Sequence, residues 1–377
     1  MSGFVRFAAL VAALMIFQWS FAKDLELSVD RSGVALHDFR ALSPGFGYAA
    51  DPVVGDEKAV LDCRHAGARL FRTAKCDETT LEFLKRGQMR ALLVLNGDAS
   101  KIAVCLKRIA DGGFADQIAG FQLGILDDAA SAAKWRTVLK DIVRLFPKKP
   151  VAVPAKNEKT ALASALEPEP RIVTHLVVEL PDEKEQTGML RKLAAVQKRS
   201  LIAVVSGKAA SGGPSLAIAG RKICTLMSAV AAGRVDAIFF DQKPEADAFG
   251  SALRYLGLAF SDYPLLVTHS EDAARLLEGG GDANGDVEYL VLSDRRWKIV
   301  CLVMVNTGEE TTKVRVKMEQ GESASRGVRR RVFSDPETGK PVREGLGCYA
   351  ARGGPFVTEL SAGEIAVVSF GVTQLKK

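Results

Sequence analysis

The stretch "IAGFQLGILDDAASAAKWRTVLKDIVRLF", residues 118–146, joins a short apolar run to an amphipathic segment. The apolar run predicts a buried strand over residues 121–126. The segment after it predicts a helix, because its large apolar side chains share one face at helical spacing: Trp135, Val138, Leu139, Ile142 and Phe146. A buried strand followed at once by an amphipathic helix is typical of an α/β fold.

The same pattern recurs between about residues 41 and 282. Eight apolar runs are strand candidates: residues 43–49, 68–74, 90–98, 118–126, 150–155, 174–180, 200–207 and 236–242. Eight strand–helix units in this length fit a (β/α)8 TIM barrel better than an open doubly wound sheet. Residues 251–260 predict the closing helix.

After a Gly/Asp-rich break at residues 278–286, the apolar period changes from that of a helix to that of a strand. Residues 297–320 predict two strands joined by a polar turn at 307–310, and residues 364–370 predict another. We therefore expect a small C-terminal β-sandwich over residues 283–377. Residues 23–40 are candidates to add strands to it.

Residues 1–22 have the pattern of a secretory signal peptide. Arg6 precedes an apolar run at residues 7–17 that is too short to span a bilayer, and Ser20-Phe21-Ala22 suits signal peptidase. The alternative is a retained membrane anchor. We expect a secreted or extracytoplasmic protein with no later membrane span, and its formal net charge of +6 does not by itself indicate a nucleic-acid partner.

The six cysteines are widely spaced and form no Cys-x-x-Cys motif, so no zinc or redox motif is predicted. The sequence predicts neither a metal site nor a cofactor. In an oxidising compartment one or more disulfides can form, with Cys301 and Cys348 as a candidate pair. Buried free thiols are the alternative for the other four cysteines.

In a barrel, the loops after the strands' carboxyl ends converge on one pocket, so polar residues there are site candidates. The predicted substrate-binding residues are Asn96, Gln122, His175, Lys208, Asp241 and Gln242. His175 lies on an apolar strand and is alternatively a hydrogen-bonded core residue. Asp98, Asp128 and Asp182 each precede a predicted helix and are alternatively N-caps.

Three long segments in this order, residues 63–83, 118–147 and 201–242, followed by the β-rich tail, resemble the heparanase-like glycosidases of glycoside hydrolase family 79. The resemblance covers nearly all of the chain after the leader. It implies a barrel with a C-terminal β-sandwich and hydrolysis of uronic-acid-containing glycans with retention of configuration. Retention requires two carboxyl groups about 5 Å apart.

Both of the family's catalytic carboxylates are missing from the matching positions. The family's Gly-Asn-Glu run, which supplies the acid/base, falls on Gly124, Ile125 and Leu126, and the nucleophile falls on Ser206 or Gly207. None of these side chains can supply the missing carboxylate. The resemblance therefore favours a catalytically inactive relative that binds an acidic or uronate-containing glycan.

Two acids near the predicted pocket keep an active enzyme open as an alternative. Asp127 follows the lost acid/base position by one residue, and Glu179 ends the sixth predicted strand. Asp127 is alternatively a surface or capping residue, and Glu179 a partner for a cation such as Lys208. A third possibility is a protein-interaction module whose barrel mouth is occluded.

Basic residues cluster in the tail. Arginine suits sulfate and carboxylate groups because its planar guanidinium can donate two parallel hydrogen bonds. The predicted acidic-glycan patch, which a glycosaminoglycan or another acidic polysaccharide would fit, consists of Arg295, Arg296, Arg329, Arg330 and Arg331. Ordinary solvated arginines are the alternative, and Trp297 is predicted either to stack on a sugar or to fill the sandwich core.

Overall fold

A computed structural model describes most of the chain from Lys23 to Gln374. The described residues are 23–29, 34–38, 46–49, 57–65, 67–124, 129–155, 172–180, 200–206, 215–232, 235–241, 248–263, 265–269, 286–294, 296–318, 322–324, 328–333, 343–348 and 356–374. The predicted signal peptide therefore lies outside them.

Two strands precede a closed barrel of eight parallel strands. The first two are β1 (Lys23–Val29) and β2 (Val34–Asp38). The barrel strands are β3 (Phe46–Ala49), β4 (Leu70–Thr73), β5 (Arg90–Val94), β6 (Ile118–Gln122), β7 (Val151–Ala155), β8 (Val173–Leu180), β9 (Ser200–Ser206) and β10 (Val235–Asp241). Each pairs with the next, and β10 pairs with β3 to close the ring. The predicted parallel barrel is confirmed.

Helices follow six of the barrel strands. They are α1 (Glu57–His65), α2 (Glu78–Arg86), α3 (Ala99–Asp111), α4 (Ala129–Leu145), α5 (Leu216–Ala232) and α6 (Ala248–Asp262). A short 3-10 helix, Ala115–Gln117, precedes β6. The segments that follow β7 and β8, residues 156–171 and 181–199, lie outside the described residues. None of the helices in the described ranges has the length and apolar character needed to cross a bilayer.

The strand–helix unit at residues 118–146 forms largely as its pattern predicts. All five apolar residues that the pattern places on one helix face are buried. The strand begins at Ile118, three residues before the predicted start, and ends at Gln122. The Leu123 N–H still donates to the carbonyl of Ala152 at 2.8 Å, so pairing continues one residue beyond the strand.

Two further sheets complete the fold. Their remaining strands are β11 (Leu265–His269), β12 (Val287–Ser293), β13 (Ile299–Asn306), β14 (Thr312–Met318), β15 (Glu322–Ala324), β16 (Val328–Phe333), β17 (Arg343–Cys348), β18 (Phe356–Leu360) and β19 (Ile365–Gln374). The large sheet has the order β17-β16-β19-β13-β12-β11-β2, with β15 paired to β19, and its pairs are antiparallel. The small sheet has the order β1-β14-β18.

The central strands of the large sheet, β13 and β19, contribute buried residues on both faces. On one face, residues such as Leu302 and Val368 share an apolar cluster with Leu27 and Val314 of the small sheet. On the other face, residues such as Val303 share a second cluster with helices α5 and α6 and with the barrel. The large sheet therefore forms a layer between the barrel helices and the small sheet, which agrees with part of the predicted β-sandwich.

The two strands predicted in residues 297–320 belong to different sheets. β13 pairs with β12 and β19, whereas β14 pairs with β1 and β18. Only β14 alternates between buried and exposed residues, because every residue of β13 after Ile299 is buried. The polar turn at residues 307–310 thus carries the chain from one layer to the next.

β11 lies within the segment that the sequence assigned to the barrel, yet it pairs with β12 and β2 of the large sheet. The domain boundary at residue 282 stays a prediction, with β11 as a strand of the large sheet on its amino-terminal side. β1 and β2, from the segment 23–40, each join one of the two sheets.

The pairing of Cys301 with Cys348 is wrong. Cys301 is a free, buried thiol on β13, and Cys348 lies on β17. Two other strands, β19 and β16, separate them in the sheet. Three strand spacings of about 4.8 Å each exceed the Cα separation of roughly 4.4–6.8 Å that a disulfide allows.

Candidate site at the carboxyl ends of the barrel strands

Three polar side chains meet near the carboxyl ends of alternate barrel strands: Arg72 on β4, Gln122 on β6 and Glu179 on β8. Residues two apart on a strand face the same side. Leu70 lines the barrel interior, whereas Phe71 belongs to the cluster outside the ring. The alternation therefore directs Arg72 inward, above Leu70.

Arg72 joins the other two residues of this polar group. Its Nε donates to Gln122 Oε1 at 2.7 Å, and its Nη2 lies 3.4 Å from Glu179 Oε1. Gln122 is buried, the Arg72 side chain is 18% exposed, and the Glu179 side chain is 72% exposed. The guanidinium of Arg72 therefore lies between the buried amide of Gln122 and the solvent-accessible carboxylate of Glu179.

Below this group, the inner wall of the barrel is apolar. Leu70, Leu92, Ala152, Val177, Ile202, Val204, Ala237 and Phe239 form one buried cluster there. A small cavity lies among several of these residues, and His175 also lines it. Among the described residues, the polar group therefore lies between this apolar cluster and the carboxyl-terminal end of the barrel.

His175 lies near the amino-terminal end of β8, four residues before Glu179. It is 8% exposed, and its ring nitrogens lie 2.9 Å from Asp236 Oδ2 and 2.7 Å from Thr174 Oγ1. This position does not bring His175 together with Gln122 or Glu179. The geometry supports the alternative interpretation, a hydrogen-bonded histidine inside the barrel.

The other predicted substrate-binding residues are only partly described. Asn96 is exposed after β5, and Asp241 ends β10, where it pairs in register with Ser206 at the end of β9. The side chains of Asp241 and Ser206 are not described. Outside the described residues lie Ile125, Leu126, Asp127, Gly207, Lys208 and Gln242.

Two aspartates after barrel strands cap helices. Asp98 accepts from the backbone N–H of Lys101 at 2.8 Å and caps α3, as one interpretation of the sequence predicted. That hydrogen bond, together with one from Ser100, lowers the pKa of Asp98. Asp77 caps α2 through Thr80, while Asp128 and Asp182 lie outside the described residues.

Among the described residues, the arginines of the predicted acidic-glycan patch do not share one face. Arg330 faces the small sheet, where it donates to the carbonyl of Glu359 and lies 3.7 Å from Glu364 Oε2. Arg329 and Arg331 are its neighbours on β16 and point to the other face of the strand. Arg296 is exposed in the turn between β12 and β13, and Arg295 lies outside the described residues.

Trp297 fills the core of the sheet region and is only 7% exposed, within the cluster that the two sheets share. Its φ of 53° places it in the left-handed region, and its backbone N–H donates to the carbonyl oxygen of Asp294 at 3.1 Å. The structure therefore supports the second interpretation of this residue, packing in the core.

Arg72 is a site residue that was not predicted from the sequence. The signal that could have found it is a charged residue inside the apolar run "ARLFRTA", two positions after Leu70 and hence on the inward face of the strand. A charge at such a position needs a partner, and Gln122 and Glu179 provide it.

A metal-binding cluster was not expected from the sequence. Among the described residues, no group of three or more His, Cys, Asp or Glu side chains is placed to hold a metal ion. At the described part of the mouth, Arg72, Gln122 and Glu179 form hydrogen bonds and an ion pair.

Comparison with solved structures identifies the barrel as a glycoside-hydrolase-like fold. An arabinofuranosidase of glycoside hydrolase family 51 from Xanthomonas axonopodis pv. citri has a TM-score of 0.65 at 11% identity, covering 92% of this chain and 99% of that one. A glucosidase from Croceicoccus marinus has a TM-score of 0.64 at 12% identity, covering 94% and 99%. A family 44 xyloglucanase from Paenibacillus polymyxa has a TM-score of 0.64 at 7% identity, covering 93% and 100%.

No protein-family model matches the chain, and no curated protein matches its sequence. At these identities the structural likeness shows the fold alone. The glycosidase-like fold agrees with the coarse part of the sequence resemblance, while the particular likeness to family 79 stays a prediction.

Proposed function

We propose that the chain binds an acidic or uronate-containing glycan at the mouth of the barrel and does not hydrolyse it. The observation that carries the proposal is the polar group in which Arg72 bridges Gln122 and Glu179. Carbohydrate hydroxyls are recognised by polar groups held in fixed positions in a cleft. The ion pair with Arg72 fixes the position of the Glu179 carboxylate.

Glu179 is the residue best placed to contact a sugar. Its side chain is 72% exposed, and its Oε1 lies 3.4 Å from Nη2 of Arg72. An ionised carboxylate has about four acceptor sites on its two oxygens, so acceptors remain for sugar hydroxyls. The exposure of Glu179 also favours an open mouth at this strand over an occluded one.

The lack of hydrolysis rests on the residues at the two family positions. The resemblance places the acid/base at Leu126 and the nucleophile at Ser206 or Gly207. Without a carboxylate pair, neither acid assistance nor a glycosyl–enzyme intermediate is available from those positions. A bound glycan is then released unchanged.

We propose an acidic glycan because the protein offers guanidinium groups. Arg72 reaches the mouth, and Arg296 and Arg329 are exposed on the sheet region. An acidic ligand gains from these charges, and added salt should weaken that part of the binding. Secretion of the protein, which the predicted leader implies, would place it among extracellular polysaccharides.

The test is a glycan array with the purified protein, followed by titration of the best acidic and neutral polysaccharides. Glu179→Gln should weaken binding about tenfold, equivalent to roughly 1.4 kcal/mol, while Glu309→Gln, which changes an exposed carboxylate in the turn after β13, should not. The polysaccharide should gain no new reducing ends. Absence of binding to every glycan would overturn the proposal.

An active glycosidase is the second candidate, favoured by the exposed position of Glu179 at the mouth. It predicts release of reducing ends that disappears in Glu179→Gln and in Asp127→Asn. Turnover that co-purifies with the protein and is lost in both variants would replace the binding proposal with this one. Turnover that persists in both would exclude this pair of acids.

A further inference from the structure

Two cysteines that are far apart in the sequence meet beside the barrel mouth. Cys76 lies in the loop between β4 and α2, and Cys105 lies on the buried face of α3. Cys76 packs against the buried cluster to which Cys105 belongs, and a hydrogen bond between the two thiols is the largest cause of the shift in the pKa of each. Cys105 is 7% exposed, whereas Cys76 is half-buried and therefore reachable from solvent.

The surroundings favour a thiolate at Cys76. The hydrogen bond from Cys105 is the main cause that lowers the pKa of Cys76; partial burial opposes it, and the positive charge of Arg108 supports it. Arg108 is held close by, because its Nη1 donates to the carbonyl oxygen of Cys76 at 3.3 Å. The same hydrogen bond, together with burial, raises the pKa of Cys105. The sulfur of Cys76 is therefore the nucleophile of the pair, and the sulfur of Cys105 is its buried neighbour.

We infer that Cys76 and Cys105 form a redox-active pair, which closes to a disulfide by exchange with an external disulfide such as oxidised glutathione. The thiolate of Cys76 attacks one sulfur of the external disulfide, and the external S–S bond breaks to release one thiolate. The protein then carries a mixed disulfide at Cys76.

The second step uses Cys105. In the mixed disulfide, Cys76 no longer carries the negative charge to which Cys105 donated, so a cause that raised the pKa of Cys105 is removed. The Cys105 thiol then loses its proton to solvent, and its sulfur attacks Cys76 and displaces the second external thiolate. Counted from the two thiols, the protein loses two protons and two electrons, and the external disulfide takes them up to become two thiols.

Three other cysteines, whose side chains are described, do not share this arrangement. Cys63, Cys224 and Cys301 are all at most 1% exposed, so an external disulfide cannot reach them in the folded chain. Burial also raises the pKa of Cys224 and Cys301, which disfavours their thiolates.

Closing the pair affects the candidate site through the chain itself. Cys76 follows Arg72 by four residues, and the loop that carries it runs directly from the carboxyl end of β4 into α2. A disulfide to Cys105 would fasten this loop to α3. Oxidation would therefore restrict the movement of the segment next to Arg72 and stabilise the folded chain by reducing the freedom of the unfolded one.

The pair is tested with the full chain, reduced, freed of reductant and incubated with oxidised glutathione at neutral pH. Remaining thiols are alkylated, and the protein is digested in acid to prevent exchange. We expect a peptide pair linked through Cys76 and Cys105, with a mass two hydrogens below that of the separate peptides. The oxidised chain should also have a higher Tm than the reduced chain.

Single variants distinguish the roles of the two sulfurs. Cys105→Ser should leave glutathione attached to Cys76, because nothing resolves the mixed disulfide, and Cys76→Ser should leave Cys105 a free thiol. Cys301→Ala, which removes a buried thiol from the large sheet, should form the same linkage as the wild type. Free thiols at both positions after prolonged oxidation, or linkage of Cys76 to another cysteine, would overturn the inference. The wild-type map decides the question even if a serine variant fails to fold.

Discussion

Gln122 is buried at the carboxyl end of β6, and its Oε1 accepts a hydrogen bond of 2.7 Å from Nε of Arg72 on β4. Two barrel strands that are not adjacent in the ring are thus connected across the interior. Because a buried amide without a partner is costly, this contact stabilises the barrel in addition to orienting Arg72 for the site.

Arg72→Met should destabilise the chain. The substitution leaves Gln122 Oε1 without its charged donor, and loss of a hydrogen bond to a charged group typically costs about 1.5–3 kcal/mol. The free energy of unfolding, measured by urea denaturation, should fall by about this amount. The same variant should weaken glycan binding, because Glu179 loses the group that holds it.

The Gln122→Met variant supplies the comparison for Arg72→Met. If the two residues act together, the double variant should be less destabilised than the sum of the two single variants. Strict additivity would show that their contact contributes nothing to stability.

Glu288 should make stability depend on pH. It lies on β12, 1% exposed, and neither of its carboxyl oxygens has a hydrogen-bond partner among the described residues. Burial raises its pKa to about 8, although Arg221 on α5 opposes the shift. Below a pH of about 4.5 the carboxyl is protonated in both folded and unfolded chains. Between about 4.5 and 8 only the folded chain keeps the proton, so the free energy of unfolding should fall as the pH rises.

Glu288→Gln should remove this slope. Each pKa unit of difference between the two states corresponds to about 1.4 kcal/mol, so at pH 8 the variant should be more stable than the wild type by several kcal/mol. Urea denaturation at pH 5, 7 and 9 measures the difference, and the exposed Glu309→Gln serves as the control. Parallel pH profiles for wild type and Glu288→Gln would contradict the prediction.

The barrel could be predicted because the sequence pattern of each strand and each helix is local. Each strand is a short apolar run, and the burial of Trp135, Ile142 and Phe146 follows directly from their spacing on α4. Gln122 at the mouth could be found in the same way, because the carboxyl ends of parallel strands gather on one side of the barrel.

The features that sequence reasoning missed depend on contacts between distant segments. A basic run on β16 cannot reveal that Arg330 bonds to the small sheet while its neighbours face away, because the sheet partner is set by the fold. His175 on β8 and Asp236 on β10 are likewise brought together by the barrel, in which β9 lies between their strands. The strand at β13 has no alternation because layers cover both of its faces, so its place in the large sheet is not visible in the sequence.

Gly67→Ala should be strongly destabilising. Gly67 has a φ of +92°, and an added Cβ would lie 2.2 Å from the backbone carbonyl of Gly257 on α6. Strained backbone and a clash that only helix movement can relieve should together cost about 3 kcal/mol or more. Gly113→Ala is the matched control, because its φ is +68° and no atom lies within 4 Å of the added Cβ. Gly113→Ala should lower the free energy of unfolding only by the backbone strain, about 1–2 kcal/mol. Equal losses of stability in the two variants would show that the contact with α6 is unimportant.

Trp297→Ala should lower stability and leave glycan binding unchanged. The indole is buried in the cluster that the two sheets share, and removing it opens a cavity that typically costs about 3–5 kcal/mol. Trp297→Phe should recover much of the loss, because it keeps an aromatic ring in the same space. Denaturation curves and glycan titrations of the two variants separate packing from sugar stacking. If Trp297→Ala bound glycan more weakly while its free energy of unfolding stayed the same, the tryptophan would belong to a sugar-binding surface and not to the core.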